Sequence, residues 1–302
     1  MKTILKNSGK WQVAPSSLRF DATRSDRMQG APRRQIRNPH SVRPQRDLAK
    51  RWAFRNGSAF TIVELLVVIA IIGILAAMLL PVLSRAKIVA QKQQAKVEIS
   101  QIVGAIQQYD SVYGRFPVSA NDQLLATNND FTCGGTGYDS SGVHQLWTMG
   151  LTNNWEVIAI LMDITTYSNG MQTVNYNHIK NPQQTAFLNA KMSGDTSSPG
   201  VGTDLVYRDP WGNPYIITMD LTYDEQCRDQ YYCQRAVSQN PPNSTTSQTG
   251  FNGLYNPDTG GQTDNYLYHG KVMVWSAGPD RMVDTNSAAN LGVNKDNILS
   301  WQ

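Results

Sequence analysis

The feature that most restricts this chain is a long apolar run with a carboxylate in its leading edge. The run begins Ala59-Phe60-Thr61-Ile62-Val63-Glu64 and ends at Pro81, and from Leu65 to Leu80 it holds no charged or strongly polar side chain. A helix needs about 20 apolar residues to cross a bilayer, so the run spans one only if Phe60 to Val63 join it. Joining them carries Glu64 into hydrocarbon, where a bare charge costs about 2.5 kcal/mol or more and marks a functional residue by default. Mean hydropathy over the whole chain is negative, which excludes a polytopic membrane protein.

Charge is distributed unevenly about this run. Residues 1–56 hold 14 of the 27 basic side chains and three of the 23 acidic ones, a balance of +11, and the remainder balances at −7. Arg43, Arg46, Lys50, Arg51 and Arg55 lie close to the apolar segment. Basic residues flanking a span stay on the cytoplasmic side, so the N-terminus is expected in the cytoplasm and everything after Pro81 across the membrane. The basic arm also fits a nucleic-acid contact, but it shows no helix pattern or aromatic platform, so a removable leader is preferred and no nucleic-acid partner is expected.

The segment Phe60-Thr61-Ile62-Val63-Glu64, followed by Leu-Leu-Val-Val-Ile-Ala-Ile-Ile-Gly-Ile-Leu-Ala-Ala, resembles the processing and assembly segment of type IV pilins and type II secretion pseudopilins. The resemblance implies that a prepilin peptidase cuts between Ala59 and Phe60 and methylates the new Phe60 amine. Glu64 becomes the fifth residue of the processed chain, and Gly73 and Pro81 fall where the family keeps a Gly and a Pro. The family normally has Gly before the cut; here that residue is Ala59, with Gly57 two positions earlier. The leader is long for the family, and a start at Met28 is an alternative to Met1.

Beyond Pro81, Ala95, Ile99, Ile102, Val103, Ile106 and Tyr109 recur at steps of three and four and form one apolar stripe of a helix. Tyr113-Gly114-Arg115-Phe116-Pro117 supplies its stop. Residues 118–206 read as an enlarged variable region with short helices over Asp122–Ala126 and Trp155–Asp163, a turn at Asn181-Pro182, a strand over Thr185–Asn189 and a loop over 192–203. Asp209-Pro210-Trp211-Gly212-Asn213-Pro214-Tyr215 is a tight turn around one large aromatic, followed by a strand at Ile216–Met219. This heptapeptide resembles a turn of the major type II secretion pseudopilin. Residues 238–265 read as a mobile surface loop, and Lys271–Trp275 as the final strand.

The C-terminal segment holds Asp280, Asp284 and Asp296 among Asn and Gly residues. Such a loop supplies oxygens of the kind calcium takes, or is a solvated turn. The segment resembles the calcium-stabilised loop of major pseudopilins. That resemblance implies Asp280 and Asp296 as side-chain ligands, with Asp284 and the Ser276 carbonyl as further candidates.

Three cysteines lie beyond the span, in a compartment expected to be oxidising. Cys227 and Cys233 enclose a loop short enough to close with a disulfide, while Cys133 is left free or paired with either. His40, His144, His178 and His269 show no spacing of a catalytic triad or zinc site, and no phosphate-binding Gly loop appears, so no enzyme is expected.

The expected fold is α+β and pilin-like. A long N-terminal helix, half in the membrane (60–81) and half amphipathic (82–117), packs on a small antiparallel sheet within residues 207–302. Residues 1–59 are the leader. The resemblance implies a subunit of a type II secretion pseudopilus: a helical homo-oligomer with other pseudopilins, inner-membrane anchored, working with a secretion platform. The alternatives are a type IV pilus subunit and a membrane-anchored binding module using residues 118–206.

Overall fold

The computed structural model describes residues 60–125, 130–134 and 153–302. All of these lie in one compact unit, Phe60–Gln302. The leader 1–59, with Met28, His40, Gly57 and Ala59, lies outside the described residues, as do Ala126 and His144.

Helix α1 runs from Ile62 to Tyr113, 52 residues, or about 78 Å at 1.5 Å per residue. It passes through Pro81 without ending, and Ser84 Oγ donates to the Pro81 carbonyl at 2.9 Å. Proline crowds the preceding turn and removes one amide donor, yet the helix is continuous through it. The stop is where the Gly114 signal put it: Gly114 has φ of +62° and its N–H donates to the Asp110 carbonyl at 2.7 Å. A left-handed cap of this kind favours glycine.

Only the second half of α1 is buried. Ala95, Ile99, Ile102, Ala105, Ile106 and Tyr109 face the core and Val103 is partly buried against it, so the expected stripe is present, with Ala105 added. The remaining elements are α2 (Ala120–Leu125), β1 (Phe131–Cys133), α3 (Trp155–Leu161), β2 (Gly200–Val201), β3 (Tyr207–Arg208), β4 (Ile216–Met219), β5 (Gln226–Cys227), α4 (Arg235–Ser238), β6 (Tyr268–His269), β7 (Val272–Ser276) and β8 (Ile298–Leu299).

The main sheet is antiparallel in the order β1-β4-β7-β8, with Ile217 opposite Val274 and Trp275 opposite Leu299. Helix α1 packs across β7 and β8. Strand periodicity then divides the interior into two cores, because successive side chains point to opposite faces. Cys133, Ile217, Met219, Val272, Val274 and Ile298 join the core under α1, whereas Ile216, Met273, Trp275 and Leu299 join a second core with Tyr231, Tyr232, Tyr266 and Trp301. The α+β architecture, a long helix on a small antiparallel sheet, is therefore the one expected.

Several local expectations differ. The final strand is β8 rather than β7, because the apolar pair Ile298-Leu299 closes the sheet edge. Thr185–Asn189 forms no strand: the N–H groups of Phe187 and Leu188 both donate to the Leu161 carbonyl and so cap the end of α3 rather than join a sheet. The α3 helix ends at Leu161, short of Asp163, which takes a positive φ. The stretch 192–203 contains β2, paired with β3. Residues 238–265 are no loose loop. Gln239 Nε2 donates to the Ser247 and Gly261 carbonyls, Asn256 Nδ2 to the Thr263 carbonyl, and Ser238, Gln239, Leu254 and Asn256 are buried. Amide side chains there supplement isolated antiparallel bridges such as Tyr255 with Leu267 in satisfying the backbone.

Candidate functional site

Two regions carry the functional candidates. At the start of α1, Thr61 and Glu64 close a capping box. The Thr61 N–H and hydroxyl both donate to Glu64 Oε2 at 2.8 Å, and the Glu64 N–H donates to Thr61 Oγ1 at 3.2 Å. This partners amides that a helix start otherwise leaves unmatched. The Thr-x-x-Glu spacing was the signal for it, and only the role of Glu64 between copies was anticipated.

Around this box the helix is uncovered. Every large apolar side chain from Phe60 to Leu83 is between 43% and 83% exposed. Among the described residues α1 is the one helix long and apolar enough to cross a membrane, and its apolar window is wholly unburied, unlike the core helix of a soluble protein. A Cβ placed at Gly73 would meet nothing within 4 Å, so that face is open to close approach by another helix.

The second region is built on the Asp209–Tyr215 turn. Asp209 is fully buried; its Oδ1 accepts the N–H groups of Trp211 and Asn213 at 2.9 and 2.8 Å, and its Oδ2 accepts Asn213 Nδ2 at 2.7 Å and the Ser276 hydroxyl. Burial pushes its carboxyl above the ordinary carboxylate range, while these donors favour the charged form. Asn213 Nδ2 also donates to the Gly278 carbonyl at 3.0 Å, and the Gly278 N–H donates to Ser276 Oγ at 3.0 Å. The turn is docked on α1 by Gln91 Nε2 to the Pro210 carbonyl at 3.1 Å and by the Tyr215 hydroxyl to Glu98 at 2.5 Å. So the heptapeptide fixes the start of the acidic loop relative to the helix.

Within that loop, Gly278 has φ of +72°, and a Cβ there would lie 2.4 Å from the Asp296 carbonyl oxygen. This close approach brings Asp296 back beside the Gly278 turn. Burial raises the carboxyls of both Asp280 and Asp296, and the charge of Asp280 raises Asp296 further. Lys92 on α1 draws both back down. Asp296 Oδ1 and Asn297 Oδ1 are buried without a hydrogen-bond partner among the described residues.

Asp284 is engaged within the loop: its Oδ1 accepts the Asn286 N–H at 2.9 Å and its Oδ2 the Ser287 hydroxyl at 2.6 Å. Asn294 organises that part of the loop, accepting from the Tyr231 hydroxyl and the Asp284 N–H and donating to the Asp284 and Ser287 carbonyls. Ser276 is fully buried on β7, and its hydroxyl is spent on Asp209.

A model of the prokaryotic N-terminal methylation motif matches residues 54–80. The chain carries a prepilin-type N-terminal methylation motif that runs into the first half of α1. No curated protein and no solved structure matches it. Of the expected cleavage pair in this pilin-like chain, Ala59 lies outside the described residues and Phe60 is exposed.

The expected Cys227–Cys233 bridge is not made; Cys133, Cys227 and Cys233 are all free and buried. Cys227 points into the second core, whereas the Cys233 thiol donates to the Gln230 carbonyl at 3.3 Å, so the two sulfurs serve different surroundings. Burial pushes the Cys233 thiol up to about 12.

The acidic loop fits a calcium ion in part. A pair of neighbouring carboxylates with an orphaned buried oxygen is the hard donor set that calcium takes. Among the described residues, however, no group of three or more His, Cys, Asp or Glu converges. A metal here would complete its shell from carbonyl and amide oxygens or water.

Proposed function

We propose that this chain is a structural, non-catalytic subunit of a type II secretion pseudopilus. A prepilin peptidase removes the leader between Ala59 and Phe60 and methylates Phe60. The subunit waits in the inner membrane on a single span, with its C-terminal region in the periplasm. Many copies then pack their apolar half-helices into a helical fibre, together with other pseudopilins and on an inner-membrane secretion platform. A head-to-tail contact that does not close produces such a filament.

The observation that carries this reading is the bare apolar half of α1, from Phe60 to Leu83, with Glu64 at its tip. Apolar side chains that no part of the chain covers require lipid or other copies as cover. Within a fibre, Glu64 pairs with the Phe60 amine of a neighbour, which offsets the burial of its charge and sets the axial register. Gly73 lets adjacent helices approach, and Pro81 marks the end of the buried stretch. The Asp209–Tyr215 turn, tied to the acidic loop, favours the secretion class over a type IV pilus subunit. Calcium held by Asp280 and Asp296 would supply positive charge that ties the loop ends together, stabilising the folded state by mass action.

Mass spectrometry of the membrane-extracted chain tests the processing step: a mass starting at N-methylated Phe60 is expected, and a chain that keeps its leader while functioning would refute it. Loss of protein export without loss of surface fibres in a deletion strain separates the secretion reading from the pilus reading. A melting temperature unmoved between calcium chloride and chelator removes the metal alone.

A further inference from the structure

A cleft of about 430 Å³ opens on the variable region, lined by none of the residues named above as functional candidates. Its walls are Asn153 and Trp155 at the start of α3, Tyr167 and Asn169 on a tight turn, and Thr203 and Asp204 before β3. The walls are rigidly held. Asn154, fully buried between the first two, donates to the Tyr207 and Tyr215 carbonyls at 3.0 and 2.8 Å and accepts the Tyr207 N–H at 2.9 Å, locking α3 to β3 and β4. The Tyr167 N–H donates to the Met171 carbonyl at 2.8 Å, and Asn169 Oδ1 accepts the Met171 N–H at 3.0 Å, which closes the opposite turn.

Three properties point to a ligand. The rings of Trp155 and Tyr167 stand 6.0 Å apart, inclined at 49°, and both line the cleft while only partly buried. Asn153 Oδ1 is buried at the cleft wall with no hydrogen-bond partner among the described residues, an arrangement that is costly unless something supplies a donor. The charge at the site is already settled: Asp204 receives Arg208 Nη1 at 3.0 Å and Nη2 at 2.6 Å. The Tyr167 hydroxyl, pushed up to about 12 by burial first of all, is a donor at the same wall.

We propose that this cleft binds a neutral pyranoside, as one or two sugar units of an oligosaccharide. A pyranose ring has an apolar face to lie against an aromatic ring and equatorial hydroxyls for amides and phenol. Convergent aromatic and amide groups in a preformed concavity of this size are what small-ligand sites present. The Asn153 oxygen accepts a sugar hydroxyl, the Tyr167 hydroxyl donates to a ring or exocyclic oxygen, and Asn169 and Thr203 sit at the rim. The filament reading does not require this site and does not depend on it.

The test uses the full chain extracted in detergent. It is probed on an array of neutral and acidic oligosaccharides, and the strongest neutral glycan is then titrated calorimetrically. Binding to neutral glycans is expected, with affinity reduced roughly threefold to tenfold by Tyr167→Ala through the lost aromatic contact. Asn153→Ala should lower affinity comparably, and Tyr167→Phe less than Tyr167→Ala. Thermal melts of each variant check folding, and Asn169→Ala, on an exposed turn, is a second variant that leaves the core untouched. No neutral glycan bound by the wild-type chain, binding confined to acidic glycans, or equal affinity in wild type, Tyr167→Ala and Asn153→Ala would each overturn the proposal.

Discussion

Replacing Asp209 tests whether the heptapeptide turn supports the acidic loop. Its carboxylate takes four donors in a fully buried position: two backbone N–H groups, the Asn213 amide and the Ser276 hydroxyl. Asp209→Ala leaves these donors without an acceptor, and stranding a buried polar group costs about 1–3 kcal/mol, partly relieved by water entering the space left behind. Four donors are stranded together and no charge is left behind, so a loss at the upper end of that range, about 3 kcal/mol, is expected here. At this chain length that lowers the melting temperature by about 6–12 °C. Asp209→Asn keeps the shape and the acceptor for Trp211 and Asn213 but turns an N–H₂ group toward Asn213 Nδ2, so its loss is smaller, about 1–2 kcal/mol. Circular dichroism melts of both variants give the comparison, with tryptophan fluorescence reporting the turn. Equal melting temperatures for wild type and Asp209→Ala, or an Asn variant less stable than the Ala variant, would show that the donors find other acceptors and that the turn does not depend on this carboxylate.

Three other outcomes follow from the geometry. Glu64→Gln should insert into the membrane normally yet yield no fibres by electron microscopy; normal fibres would remove its pairing role. Gly278→Ala places a Cβ 2.4 Å from the Asp296 carbonyl oxygen at φ of +72°, so it should destabilise by about 1–3 kcal/mol and weaken any calcium-dependent rise in melting temperature. Glu156, whose carboxyl is raised to about 8 by burial and then by Asp122, binds a proton in the folded chain that the unfolded chain has released. Stability should therefore fall as pH rises from about 4.5 to 8, and Glu156→Gln should flatten that slope; an unchanged slope of melting temperature against pH in the variant rejects the assignment.

Legibility followed sequence distance. The α1 helix announces itself because its signals are local: an apolar run, a stripe at steps of three and four, and Gly114 at the end. The strand β4 is equally plain, and β7 nearly so, because each is a short run of apolar and β-branched residues. The two-residue strand β8 escaped notice because its pairing with β7 spans a long loop and its apolar pair reads like any chain end. Cys227 and Cys233 are near in sequence, but spacing says nothing of which way each sulfur points, and the structure turns one to the core and the other to a carbonyl.

Residue order by itself determined the half-bare helix, its likeness to a prepilin, the carboxylate at its tip and the general α+β plan, because hydrophobic periodicity and helix stops act over a few residues. The tertiary structure alone decided which carboxylates meet. The Gly278 turn brings Asp296 back beside Asp280, and the Asn294 amide holds the backbone at Asp284, neither of which separation along the chain reveals. It alone also assembled the Trp155–Tyr167 cleft, whose walls come from three separate segments held by a single buried asparagine and one tight turn.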